Sequence, residues 1–155
     1  MSEGQSAAGS ASGSCIFCRI ANGEIPSVRL YEDERIVAFL DIRPIREGHV
    51  LVLPKQHYDF FEVMPPDLAA HILATGQKIA RAMKKIYGVA RVGFMFTGTD
   101  VAHAHAHVVP MVEGTDLTSR RYIAEEKLTF RPPQMVSPGE LEQVASKLQA
   151  ALEGA

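Results

Sequence analysis

Three short aliphatic runs, around Val28 to Tyr31, Arg35 to Leu40 and His49 to Leu53, are separated by the polar stretches "EDE" and "DIRPIREG". Apolar runs of this length bounded by turn residues read as strands, here as a meander. The period then changes. In "VMPPDLAAHILATGQKIARAMKKIYGV", Leu68, Ile72, Gly76, Ile79, Met83 and Ile86 recur at intervals of three and four, with Asp67 near the start and Gly88 just past the end. That spacing predicts an amphipathic helix lying against the sheet. Strand patterns resume in "RVGFMFTG" and "DVAHAHAHVVP". The segment "EGTDLTSRRYIAEEKLTFRPPQM" has weak periodicity and reads as an ordered extension of undetermined form. Near the end, Ser137 and Glu140 make a capping box, Pro138 suits the first helical position, and Leu141, Val144, Ala145, Leu148 and Leu152 supply a helical apolar face. The opening "MSEGQSAAGSASGS" can bury almost nothing and is expected to be a disordered tail over residues 1–14.

A chain of 155 residues, 46% of them hydrophobic, suffices for one well-packed core. The formal charge is -2, the pI about 6.3, and Lys and Arg are scattered. No footprint for a polymeric nucleic acid is therefore visible. No apolar run approaches the roughly 20 residues that span a bilayer. The first fourteen residues lack a positive n-region and an apolar h-region, so neither a membrane nor a secretory route is expected and the chain reads as cytoplasmic. The two cysteines, in "CIFC", suggest metal or redox chemistry before a structural disulfide.

Half of the six histidines fall within residues 103–107. If residues 101 to 109 are extended, His103, His105 and His107 share one face while Ala102, Ala104, Ala106 and Val108 share the other. A solvated edge-strand face explains one such histidine but poorly explains three in register. Two chemical readings remain open on spacing alone. The row can ligate a transition metal, or one imidazole can be a nucleophile or base whose tautomer and orientation its neighbours fix.

The triple H-x-H-x-H, together with "CIFCRIANGEIPSVRLYEDERIVAFLDIRPIREGHVLVLPKQH", resembles the histidine triad family of nucleotide hydrolases and transferases over roughly residues 15–112. It is similar to the branch of nucleoside phosphoramidases and their zinc-containing bacterial relatives. The resemblance implies an α+β fold with an antiparallel sheet of about five strands, one long helix and a C-terminal helix. It implies a triad domain over 15–112 and a C-terminal extension over 113–155 whose terminal helix packs on that domain. It implies a purine nucleotide or nucleotide conjugate as ligand, a homodimer, and hydrolysis through a covalent nucleotidyl-histidine on His105, with His107 on the phosphate and His49 beside the nucleophile. Asp41 matches the acidic residue that holds the ribose hydroxyls, and Ile16, Phe17, Ile20, Phe39 and Leu51 match the apolar base pocket. Cys15, Cys18, His57 and His103 match a structural zinc site. Nucleotidyl transfer, dinucleoside polyphosphate hydrolysis and a nucleotide-binding regulatory module are the alternatives.

The match departs from the family pattern near the phosphate. Thr99 stands where the family usually has Gln, Asp100 where a small hydroxylated residue is usual, and "FMFTGTD" carries no Asn. Thr99 and Asp100 remain expected nucleotide-contacting positions. Asp100 is either a proton donor to a leaving group or a loop aspartate turned outward. Met111 replaces a frequent Arg, and "TSRRY" of the extension either offers Arg120, Arg121 or Tyr122 to a substrate or is a solvated loop, the second being the reading favoured.

Overall fold

The computed structural model describes residues 13–97, 100–112 and 133–154. Strands β1 (Arg29–Glu32), β2 (Ile36–Leu40) and β3 (Val50–Pro54) form the expected meander. With β4 (Arg91–Phe96) and β5 (Ala106–Met111) they make an antiparallel sheet of order β1-β2-β3-β5-β4. Three helices, α1 (Ile16–Ala21), α2 (Pro66–Tyr87) and α3 (Pro138–Glu153), complete an α+β fold. Because β5 inserts between β3 and β4, its histidines lie beside the start of β3, with Leu51 opposite His107 and Val50 opposite Val108.

Strands β2 and β3 are apolar at every position because both faces of the sheet are covered. Ile36, Ala38, Leu40, Val50 and Val52 join the core beneath α2 and α3, while Val37, Phe39, Leu51 and Leu53 join a second cluster with Phe17, Ile20 and Ala21 of α1. Helix α2 buries Leu68, Ile72, Ile79 and Met83 on the stripe its spacing predicts, each contributing about 1.5–3 kcal/mol by leaving water. Gly88 closes it, and the capping box at Ser137 opens α3 as expected, with the Ser137 side chain accepting from the Glu140 N–H.

Two expectations need correction. Strand β5 begins only at Ala106: the His103 N–H donates to the Val101 carbonyl and the Ala104 N–H to that of Tyr58, so residues before Ala106 leave the ladder. Ala102 is consequently exposed, and only Ala104, Ala106 and Val108 of the supposed small-residue face are buried. What packs behind them is α2 of the same chain. Helix α1 was not anticipated at all. The expected tail lies outside the described residues apart from an exposed turn at 13–14, as does the extension from 113 to 132.

The turn that delivers His49 is fixed by Gly48, whose φ is +90° and where a Cβ would lie 2.7 Å from Tyr87 Cε2 and 2.8 Å from its hydroxyl. Gly48→Ala must therefore both strain the backbone and displace the Tyr87 ring. It is expected to cost about 2 kcal/mol or more, read as a lower urea midpoint at unchanged slope.

Candidate active site and metal cluster

On the α1 side of the sheet lies a cavity of about 260 Å³. Its wall includes Ile16, Phe17, Ile20, Phe39 and Leu51, and on its polar side Asp41, Asp100, His105 and His107. The apolar five and the polar four are thus residues the sequence singled out, brought to one place. Thr99 lies outside the described residues, as do Arg120, Arg121 and Tyr122. Ile25, Pro26, Ile42 and Val101 also line the cavity, which the sequence reading missed. They are ordinary loop and turn residues with no pattern that marks a wall.

The histidines form an ordered chain of hydrogen bonds whose direction fixes their tautomers. The Ile45 N–H donates to His49 Nδ1 at 3.1 Å, so the His49 proton sits on Nε2. That Nε2–H donates to His107 Nδ1 at 2.9 Å, which places the His107 proton on its own Nε2, 3.3 Å from Thr97 Oγ1. His105 follows a different rule: its Nδ1–H donates to the His103 carbonyl at 2.6 Å. The lone pair of His105 is therefore on Nε2, and the Phe17 ring meets the imidazole edge-on at 4.8 Å. Thr97 was another omission, although its hydroxyl at the end of β4 is the available signal.

Burial pushes His49 below the ordinary histidine range, against a smaller opposing pull from Asp41. Burial, then the neighbouring His49 and His105, takes His107 down to about 4. Near neutral pH this pair is uncharged, as the hydrogen-bond chain requires. The folded protein keeps His107 neutral where the unfolded chain, titrating near 6.5, takes up a proton. Stability is accordingly expected to fall as pH drops from about 6.5 towards 4 and to change little more below that on account of this group. Thermal melts across that range should show the decline, and His107→Asn should flatten it.

One oxygen of Asp41 accepts from the Arg43 N–H at 2.8 Å, as a turn aspartate does, and the other is 3.7 Å from His49 Nδ1. Asp41, His49 and His107 lie close enough to suggest a metal group. The tautomers argue otherwise: His49 Nδ1 is already taken by the Ile45 N–H, and His49 Nε2 carries a proton.

The second group is different. Cys15, Cys18, His57 and His103 converge with their ligand atoms all within 4.8 Å of one another. Cys18 Sγ lies 3.2 Å from His57 Nδ1 and 3.4 Å from His103 Nδ1, and Cys15 Sγ lies 3.5 Å from His103 Nδ1. The edge between sulfur and nitrogen ligands of a tetrahedral zinc ion is about 3.5 Å. Both imidazoles are aimed by their far nitrogens: His57 Nε2–H donates to Asp59 Oδ1 and His103 Nε2–H to the Pro54 carbonyl, each at 2.8 Å. This leaves Nδ1 of both rings unprotonated and facing the sulfurs, the outer-shell arrangement of histidine metal ligands. Burial, then the adjacent Cys15, pushes the Cys18 thiol up to about 11, so two thiolates here require a cation between them. The donor set fits zinc.

The family profile described as the HIT domain matches residues 22–114. An uncharacterised HIT-like protein of Mycobacterium tuberculosis is 36% identical over 142 residues, spanning 88% of this chain and 96% of its own. An adenosine 5'-monophosphoramidase of Candida albicans is 37% identical over 106 residues, 63% of this chain and 70% of its own. Among solved structures, that of a zinc-bound histidine triad family protein from Mycobacterium smegmatis is 36% identical, with a TM-score of 0.71 over 92% of this chain and 96% of the other. With the profile spanning more than half its length and the tuberculosis relative matched almost end to end, this chain belongs to the HIT domain family.

Proposed function

We propose that the protein is a nucleotide hydrolase that cleaves nucleoside phosphoramidates, or related nucleoside monophosphate conjugates, through a covalent nucleotidyl intermediate on His105. The observation that carries this reading is the His105 Nδ1–H bond to the His103 carbonyl, which leaves the Nε2 lone pair for the cavity that His105 lines. Relatedness to a protein named as an adenosine 5'-monophosphoramidase supports the substrate class. In the first step His105 Nε2 bonds to the α-phosphorus as the leaving group departs with its electron pair. Water then attacks the phosphorus and the imidazole leaves. The base would lie among Phe17, Ile20, Phe39 and Leu51, with Ile16 at the rim, and Asp41 would accept from the ribose hydroxyls. His107 Nε2–H would donate to a phosphate oxygen, and His49 holds the ring in the tautomer that allows this. Asp100, exposed at the cavity and carrying like charge to a phosphate, would tune which leaving groups are accepted.

We also propose zinc on Cys15, Cys18, His57 and His103, a reading supported by the donor geometry and by the zinc-bound Mycobacterium smegmatis relative. Held by these four side chains, zinc would supply a structural cross-link between α1, the loop after β3 and the approach to β5.

Incubation of the full chain with adenosine 5'-phosphoramidate should release AMP over many turnovers, and quenching early in the reaction with an alkaline denaturant, in which a histidine P–N bond persists, should trap an adenylyl group on the chain by intact mass. AMP that binds without any release from the phosphoramidate would sink the hydrolase reading.

A further inference from the structure

On the side of the sheet away from the histidine cavity, β1, α2 and α3 border a cleft of about 370 Å³. Its floor includes Leu30, Ile79 and Leu152, which belong to the core beneath the helices and not to the cluster around α1. It shares no lining residue with the cavity at His105.

Thr75 marks this cleft as a built site. It lies in the middle of α2 and is only 4% exposed, yet its hydroxyl has no hydrogen-bond partner among the described residues. A helical hydroxyl ordinarily turns back on the carbonyl four residues earlier, as Ser146 does on Glu142 at 2.9 Å. Buried polar groups are otherwise nearly always paired, so the Thr75 hydroxyl calls for a polar atom supplied from the cleft.

The two helical walls differ in character. From α2 come donors, the Thr75 hydroxyl and, one turn on, the Lys78 ammonium. From α3 come acceptors. Gln149 Nε2 donates to the Arg29 carbonyl at 3.3 Å, which leaves its Oε1 as an acceptor, and Glu153 adds a carboxylate one turn further along. Lys78 and Glu153 line the same cleft without forming an ion pair with each other or with any other described residue. Between the walls the surface is apolar, with the Tyr31 ring beside Leu30.

We propose that this cleft binds a free α-amino acid with an apolar side chain. Its carboxylate accepts from Thr75 and Lys78, its ammonium donates to Gln149 Oε1 and Glu153, and its side chain covers Leu30, Ile79 and Leu152. A plain carboxylate would bring a second negative charge to Glu153, and a plain amine a second positive charge to Lys78. A zwitterion answers both walls at once.

NMR titration of the full chain with L-phenylalanine and with L-leucine tests this without any turnover, so its outcome is separate from that of the hydrolase reading. The wild type should saturate with a Kd below about 1 mM, with shifts centred on the amides of Thr75, Lys78, Gln149 and Glu153. The compounds 3-phenylpropanoate and 2-phenylethylamine, each lacking one charge, should bind about tenfold more weakly or less. Thr75→Val should weaken L-phenylalanine about tenfold while leaving the thermal midpoint no lower, because the hydroxyl has no internal partner to lose. Lys78→Gln and Glu153→Gln, at exposed positions, should each weaken it about fivefold. No saturation by either amino acid up to about 10 mM overturns the site, as do affinities unchanged in all three variants. Shifts that centre on the histidine cavity and disappear with saturating AMP overturn it too. Equal affinity for 3-phenylpropanoate overturns the amino-acid assignment in favour of a simple carboxylate.

Discussion

His105→Ala is expected to lower AMP release from adenosine 5'-phosphoramidate by about 10⁴-fold or more, while AMP itself binds within a few fold of wild type. The size follows from the tautomers. His107 Nε2 and His49 Nε2 both carry protons held by the chain that starts at the Ile45 N–H, so neither offers a lone pair to take over the attack. His103 Nε2 donates to Pro54 and its Nδ1 faces the two sulfurs. Removing His105 thus removes the one imidazole among the triad whose free nitrogen opens on the cavity. Binding should persist because the apolar wall and Asp41 are untouched. His107→Ala should be milder in rate and should also weaken AMP binding, since the proposed donor to phosphate serves ground and transition states alike. A His105→Ala variant that keeps a tenth or more of wild-type turnover would rule out the covalent route, whatever its substrate range.

Much of this site could be read in the residues, and the parts that could not share a physical cause. Asp41, His105, His107 and the apolar five are separated by up to 91 positions, yet the structure gathers them at one cavity, with His49 bonded to His107 beside it. Side-chain type and motif were enough to pick them out. The orienting groups are another matter. The Ile45 N–H and the carbonyls of His103 and Pro54 set which nitrogen of each ring is free, and backbone groups carry no residue signature. Thr97 was passed over because the family resemblance pointed to Thr99, which lies outside the described residues, and nothing in the sequence marks Thr97 as the hydroxyl just after β4. Helix α1 escaped because six residues are too few to show a 3.6 period, and four of them, "IFC" and Ile20, were already claimed by pocket and metal patterns. The long α2 and the capped α3 had none of these ambiguities, being twenty-two and sixteen residues with apolar stripes and end signals in agreement. The start of β5 was misplaced for a tertiary reason: the Tyr58 carbonyl takes the Ala104 N–H that a longer strand would have needed.

Cys18→Ser is expected to abolish metal binding and to lower the thermal midpoint by about 10 °C or more. Cys18 is the natural choice because its sulfur contacts both imidazoles of the cluster and is buried, whereas Cys15 is partly exposed. The cluster joins segments far apart in the chain: α1 and the residue before it, the loop after β3, and the approach to β5. A metal that binds only when these are folded together stabilises the native state by mass action. The consequence should reach the reaction, because His103 works at both ends. Its ring faces the two sulfurs, and its carbonyl accepts the Nδ1–H that orients His105. Loosening the ring should therefore let His105 sample the wrong tautomer and orientation, lowering kcat more than it raises KM. Metal analysis of purified wild type should give one zinc per chain, and exhaustive chelation should reproduce both the lower midpoint and the lower kcat of the variant. If Cys18→Ser retained full metal content, Cys18 would not be a ligand, and if chelated wild type melted and turned over as before, the four residues would be a buried polar cluster without a structural ion, and the His103 carbonyl and the Phe17 ring would orient His105 without its help.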